Sequence, residues 1–309
     1  IRTLTAIAPG PVLRPDGSVV QTPGYDAATG VLYAPNSEFP VIPAEANLDD
    51  ASAAMERILD VVRDFPFASE AHKAAWLAGM LTSVARHAFT GNAPIFLIDA
   101  NIRGAGKTLL VQVAGRIALG HDVPVSTYSH DPVEMRKALT TMVMAAEPVV
   151  LLDNLAGVFG NDAIDRAITS PRWRDRVLGA NLQINLPMTT VIWATGNNVT
   201  LHADTTRRVI HIRLDSPLER PEDRSNFAHR DLLAFVAKHR PSLYVDVVTI
   251  LAAFVRAGCP LPEDLRALGS FEDWSRVVRG AVMWVGLPDP CSTRDGLEVA
   301  ADSEKEVLA

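Results

Sequence analysis

Between residues 94 and 119 the chain takes on three characters in turn. Pro94-Ile95-Phe96-Leu97-Ile98 is wholly apolar, Gly104-Ala105-Gly106-Lys107-Thr108 is glycine-rich and ends on a cation and a hydroxyl, and apolar residues then recur at helical spacing. No other stretch restricts the fold as much. A short apolar run suits a parallel strand covered on both faces. Glycine-rich backbone feeding a helix start turns several N–H groups toward one point, with the helix dipole behind them. Such a turn holds phosphate. The expected contacts run from Asn101 and Arg103 through Gly104, Ala105 and Gly106 to Lys107, Thr108 and Leu109, with Lys107 supplying charge and Thr108 a magnesium ligand. The usual spacing opens on glycine, and here Asn101 takes that place. Asparagine tolerates left-handed backbone better than most residues, which is the expected reason for the exchange. The plain alternative is a strand-to-helix turn without a ligand.

The runs Val149-Val150-Leu151-Leu152, Thr189 to Trp193 and Val209 to Leu214 read as further buried strands, alternating with helical stretches such as Pro132 to Met144. Alternation of this kind implies an α/β fold with a parallel sheet flanked by helices. Residues 1–46, with Pro15-Asp16-Gly17 as a turn, form a β-rich arm. Residues 47–90 give two helices capped at Asn47 and Ser69, 91–216 the core, and 217–309 a helical region with helices at Pro241 to Ala257 and Phe271 to Trp284. With 48% hydrophobic and 21% charged residues the chain is globular rather than disordered. Cys259 and Cys291 make neither a zinc spacing nor a disulfide framework, which points to the cytoplasm, and no run of 18 apolar residues spans a membrane. Starting on Ile1 rather than Met, the chain is expected to be part of a longer polypeptide. A net charge of −7 argues against a surface that grips nucleic acid all over, though not against a narrow basic channel.

Three further elements complete a nucleotide site. Asp153 ends the second apolar run, where an acidic residue would help to hold magnesium. Asn154 follows it in the place where many such enzymes carry a glutamate base. Asparagine cannot accept a proton, but it can orient water. Asn197, in Trp193-Ala194-Thr195-Gly196-Asn197-Asn198, ends another strand at the edge where open α/β sheets bind ligands. Arg207 and Arg208 precede the last strand, and arginines at a domain edge can act on a neighbour's phosphates. A solvated or ion-paired couple is the other reading of that pair.

In this order the elements resemble the AAA+ ATPases, over about residues 90 to 215: phosphate loop, acidic strand end, sensor asparagine, paired arginine fingers. More closely, Leu151-Leu152-Asp153-Asn154, Asp175-Arg176-Val177-Leu178-Gly179 and Ala194-Thr195-Gly196-Asn197-Asn198 look like the helicase modules of phage and mobile-element replication proteins, which are often joined to primases. The resemblance reaches Gly24-Tyr25-Asp26 and Phe271-Glu272-Asp273-Trp274-Ser275 as well. It implies an AAA+-like P-loop NTPase fold, ATP and Mg2+ as ligands, and ATP-driven unwinding of DNA by a homo-oligomeric, hexameric ring, with a primase domain or protein as a further partner. Related helicases place a hairpin between the acidic and sensor strands. Here Pro171 to Leu186 reads as two short strands around a turn near Gly179, and alternation puts Arg172, Arg174 and Arg176 on one face, either against DNA or as a solvated or subunit-facing surface.

Arg276 or Arg279 is a candidate nucleotide-contacting lid residue, with a helix carrying exposed arginine as the alternative. His202, His211 and His229 have no metal-ligand spacing. Other readings of the same residues are an AAA+ protein remodeller or loader, a slowly hydrolysing ATP-binding assembly module, and a monomeric P-loop kinase.

Overall fold

In the computed structural model, which describes residues 4–177, 182–294 and 297, the core is a five-stranded, wholly parallel sheet. Its strands are β6 (Ile95–Ala100), β7 (Val125–Ser126), β8 (Val149–Leu155), β12 (Val191–Asn197) and β14 (Val209–Leu214), in the order β14-β6-β12-β8-β7. The apolar runs of the sequence are these strands, and alternation sorts their side chains to two faces. Phe96, Ile98, Leu151, Trp193 and Ile210 turn to one apolar cluster, shared with α1 (Leu48–Val61), α2 (Glu70–Val84), α3 (Lys107–Leu119) and α7 (Leu232–Arg256). Ile95, Leu97, Val150, Leu152 and Ile192 turn to the other, with α4 (Pro132–Met144) and α5 (Asp162–Thr169). Helices therefore cover both faces, as the strand composition requires.

Before the core lie five short strands. β1 (Ala6–Ala8), β4 (Gly24–Asp26) and β5 (Val31–Tyr33) form one sheet, and β2 (Val12–Leu13) pairs with β3 (Val19–Val20) around the Pro15-Asp16-Gly17 turn. Arg14 joins the two units through a 2.8 Å ion pair with Asp26. The arm lies on α7, where the buried Tyr244 hydroxyl donates to the Pro11 carbonyl at 3.2 Å. Leu13, Ile42 and Ala46 belong to the same apolar cluster as α1, α2, α3 and α7.

Past β8 come β9 (Val158–Phe159) and α5, then β10 (Arg172–Arg176) and β11 (Gln183–Pro187), an antiparallel hairpin pairing Arg174 with Asn185. The turn expected near Gly179 lies outside the described residues. After β12 follow β13 (Thr200–Leu201), which pairs with β9, and α6 (Ala203–Thr206). In the tail, α8 (Glu272–Trp274), a π-turn over Ser275–Arg279 and α9 (Gly280–Trp284) run on as one rod, followed by a 3-10 turn over Pro290–Arg294.

Several elements differ from their expected bounds. β8 and β12 continue through Asp153 and Asn197, because ladder pairing persists past the last apolar residue. α7 begins at Leu232, capped by Asp231, and carries Pro241 inside it rather than at its start. Asn47 caps α1 through a reciprocal pair with Asp50, whereas the Ser69 side chain makes no capping bond to α2.

Candidate active site

The carboxyl edge of the sheet gathers four of the expected residues. β6 ends at Ala100 and the chain turns through residues 101–106 into α3. Gly104 and Gly106 supply the left-handed backbone of that turn, at φ 78° and 88°. A Cβ on Gly106 would stand 2.8 Å from the Phe65 ring, so this position needs glycine for space as well as for φ. Asn101 is not left-handed, contrary to the expectation. Its side chain instead donates to the Ser216 carbonyl at 3.0 Å and accepts from the Ser216 N–H at 3.1 Å, fixing the start of the loop to the end of β14.

From the first turn of α3, Lys107 Nζ donates to Asn197 Oδ1 at 2.7 Å, and Thr108 Oγ1 donates to Asp153 Oδ1 at 3.1 Å. These contacts exist because β12 lies between β6 and β8, which puts the ends of all three strands beside α3. Burial pushes the Lys107 ammonium below its ordinary pKa, against the opposing charges of Asp99 and Asp153. At the β8–β12 register shift, the buried Thr195 hydroxyl donates to the same Asp153 oxygen and accepts the Asn154 N–H at 3.1 Å. Asn154 is left-handed, φ 57°, which frees its exposed side chain from the strand.

Beneath the loop sits a second polar group absent from the sequence reading. Asp99, buried within β6, pairs with Arg213 of β14 at 2.6 Å and accepts the N–H groups of Ala100 and Val199. Burial raises its pKa, but the His211 ring 3.6 Å away and the charge and hydrogen bond of Arg213 outweigh that and hold it below the ordinary range. Arg213 also donates to Asn198 Oδ1 at 3.0 Å, next to Asn197. An acid inside an otherwise apolar strand was the signal for Asp99, and a threonine in Trp193-Ala194-Thr195 the signal for that residue.

Beside the loop opens a cleft of about 950 Å3. Phe65, Leu109, Leu218 and Phe227 give it apolar walls, and Gly104 to Gly106 form one side. An Arg224–Asp64 ion pair at 2.8 Å ties the segment after β14 across it. The volume falls within the range of small-molecule clefts.

Other expected residues lie elsewhere. Arg207 and Arg208 precede β14, whose first residue Val209 pairs with Ile95, at the edge opposite the loop. Arg207 is exposed and pairs with Asp204 at 3.1 Å, while Arg208 is largely buried against Asp165 at 2.8 Å. Arg172, Arg174 and Arg176 share the exposed face of β10, with Trp173 buried beneath them. Arg172 is held by Asn185, Nε to Oδ1 at 2.9 Å. Arg279 is spent on Asp289 at 2.6 Å, and Arg276 faces Asp273 and Cys259, so neither lines the cleft. Among the described residues no cluster of His, Cys, Asp and Glu forms a metal cage, and no helix is long and apolar enough to cross a membrane.

The class that these observations define is an α/β protein with a central parallel sheet flanked by helices and a polar cluster at the sheet's carboxyl edge. No protein-family model and no curated protein matches the chain. Among solved structures it is similar to the apo A form of the NrS-1 C-terminal region, with TM-score 0.42 and 13% identity over 71% of this chain and 49% of that one. A second apo structure of that region gives 0.34 and 11%, over 68% and 45%. The JCV helicase gives 0.35 and 11%, over 78% and 68%. The chain thus spans about half the length of the NrS-1 structures that it matches.

Proposed function

We propose that this chain is the motor module of an ATP-dependent DNA helicase. The observation that carries the reading is the convergence of Lys107, Thr108, Asp153 and Asn197 at one sheet edge, paired Lys107 to Asn197 at 2.7 Å and Thr108 to Asp153 at 3.1 Å, beside a cleft large enough for a nucleoside. The loop N–H groups and Lys107 would bind the β- and γ-phosphates of ATP. The residues fit magnesium: a hydroxyl and a carboxylate, Thr108 and Asp153, lie 3.1 Å apart beside the loop and would hold the ion as a donor set of hard oxygens. Bound there, the ion would neutralise charge on the phosphates.

The chain's own residues supply the remaining chemistry. Phosphoryl transfer through a loose, metaphosphate-like transition state demands positioning and charge more than a strong base. Asn154 suits that demand: its side chain is exposed at the site and can orient water, though it accepts no proton. Asn197, bonded to Lys107, would exchange that bond for a γ-phosphate oxygen. Arg207 lies at the opposite sheet edge from its own loop, which supports action on a neighbouring subunit's site in a ring. The three exposed arginines of β10 would meet the DNA backbone.

The test is ATP hydrolysis and fork unwinding with and without single-stranded DNA. The expected outcome is hydrolysis stimulated by DNA and abolished in Lys107→Ala. Hydrolysis indifferent to DNA, with binding to a protein instead, would replace this reading by a remodeller or loader.

A further inference from the structure

α5 is a short helix pinned at its start and in contact with two distant functional elements. Gly160 leads into it at φ 121°, where a Cβ would stand 2.1 Å from Thr205 Oγ1, so the helix can lie against the α6 turn only with glycine there. Asn161 caps it, accepting the Ala163 and Ile164 N–H groups at 3.1 Å and donating to the Ser129 carbonyl at 3.1 Å. Ala163, Ile164, Ala167 and Ile168 are buried, so the helix moves only with its neighbours.

Consecutive helix residues point about 100° apart, since 3.6 residues make a turn. Asp165 therefore faces the arginine loop, the Arg207-Arg208 segment between α6 and β14, pairing with Arg208 at 2.8 Å and accepting the Thr205 hydroxyl at 3.1 Å. Arg166 faces the hairpin. It donates to the Arg174 carbonyl at 2.6 Å and lies 4.9 Å over the Trp173 ring. The far side of the hairpin is held by α4, where Thr140 accepts from Trp173 Nε1 at 2.9 Å and donates to Asp175 at 2.8 Å.

We infer that α5 is the link between the arginine loop and the hairpin, with Asp165 and Arg166 as positioning residues, so that occupancy of a neighbouring subunit's nucleotide site, met at Arg207, is passed to the arginine face of β10. The inference rests on the helicase reading given above. Neither residue touches ATP or DNA. Asp165 holds the segment that presents Arg207, and Arg166 holds the strand that presents Arg172, Arg174 and Arg176.

The experiment measures basal and DNA-stimulated ATPase, affinity for a fluorescent ATP analogue, single-stranded DNA affinity and melting temperature for the full chain and for Asp165→Asn, Arg166→Ala, Arg166→Lys and the Asp165→Asn/Arg166→Ala double variant. Arg166→Ala is expected to keep basal ATPase and both affinities within about twofold while DNA stimulation drops about tenfold, a size that a small misplacement produces. Arg166→Lys, which keeps a donor for the Arg174 carbonyl, recovers most of the stimulation. Asp165→Asn lowers the stimulated kcat at unchanged KM, and in the double variant the two losses do not add, as expected of residues acting through one element. If Asp165→Asn melts below the assay temperature, Arg166→Ala, an exposed side chain, decides alone. Wild-type stimulation retained in Arg166→Ala, or losses that add fully in the double variant, overturns the link while leaving the helicase reading in place. A wild-type ATPase that DNA does not stimulate overturns both.

Discussion

A single oxygen of Asp153 takes hydrogen bonds from Thr108 and Thr195, and the same Thr195 hydroxyl accepts the Asn154 N–H. Thr195→Val keeps the shape of the side chain and removes the hydroxyl. Asp153 then loses its orienting donor, and the Asn154 N–H loses its acceptor. The expected outcome is a kcat lower by about tenfold, the range for a mispositioned catalytic group, with unchanged affinity for an ATP analogue. Stability falls by about 1–2 kcal/mol for the unmet N–H, measurable by denaturant unfolding. An unchanged kcat would show that Asp153 is held by other means. Lys107 and Thr108 were legible because they close a glycine-rich turn at a helix start, and Asp153 and Asn197 because they stand at the ends of apolar runs, where chain order alone places them at the sheet edge. Thr195, Asp99 and Arg213 were not, because their partners come from strands 42 or 114 residues away and depend on which strands are neighbours. Asn101 was legible as an exception to the loop pattern, but its role was misread: its value is a side chain that reaches Ser216.

At the level of elements, the hairpin shows what two-residue alternation can and cannot carry. It correctly puts Arg172, Arg174 and Arg176 on one exposed face, yet only the structure shows Arg172 engaged by Asn185 and the strand braced by α4 and α5. If these side chains neutralise phosphates, replacing all three by alanine lowers single-stranded DNA affinity and flattens its dependence on log salt by about 0.7 per lost contact, up to about 2 in all. Titrations at several salt concentrations read that slope, and an unchanged slope places the DNA elsewhere. α7 was misread at its start for a physical reason. Proline favours a first helical turn, but burial along Leu243 to Phe254 and the Asp231 cap carry this helix through Pro241 despite a cost of about 3 kcal/mol. The arm makes a prediction about pH. The Arg14 hydrogen bond, outweighing desolvation, holds the Asp26 carboxyl down at about 2. A depressed carboxylate pKa stabilises the fold above the ordinary carboxylate range, and that contribution is lost as pH falls toward about 2. Asp26→Asn is therefore expected to melt earlier than wild type at neutral pH and to converge on it near pH 2.

Across the whole molecule, the glycine-rich loop of residues 101–106 and the segment carrying Arg207 and Arg208 are separated by the length of the sheet. Leu214 pairs with Ala100 at the loop edge and Val209 with Ile95 at the other, five residues or roughly 16 Å of strand apart. Arg208 is committed to Asp165 within the chain, so of the two it is Arg207, exposed and paired with Asp204 among the described residues, that would cross to a neighbour under the proposed reading. A head-to-tail assembly that closes on itself would bring the arginine edge of each subunit to the loop edge of the next. Each complete site would then draw Lys107 from one chain and Arg207 from another. Lys107→Ala and Arg207→Ala are expected to be inactive alone, the second because a transition-state arginine contributes about 10³-fold or more. Mixed in equal amounts and allowed to exchange subunits, they should regain activity. A site is complete when its loop comes from the Arg207→Ala chain and its arginine from the Lys107→Ala chain, so random mixing restores about one quarter of the sites in a cyclic ring. ATPase assays of the mixture, with mass in solution measured in a non-hydrolysable ATP analogue, read this directly. A mixture as inactive as its parts, from chains that do assemble, would mean that Arg207 serves no neighbouring site.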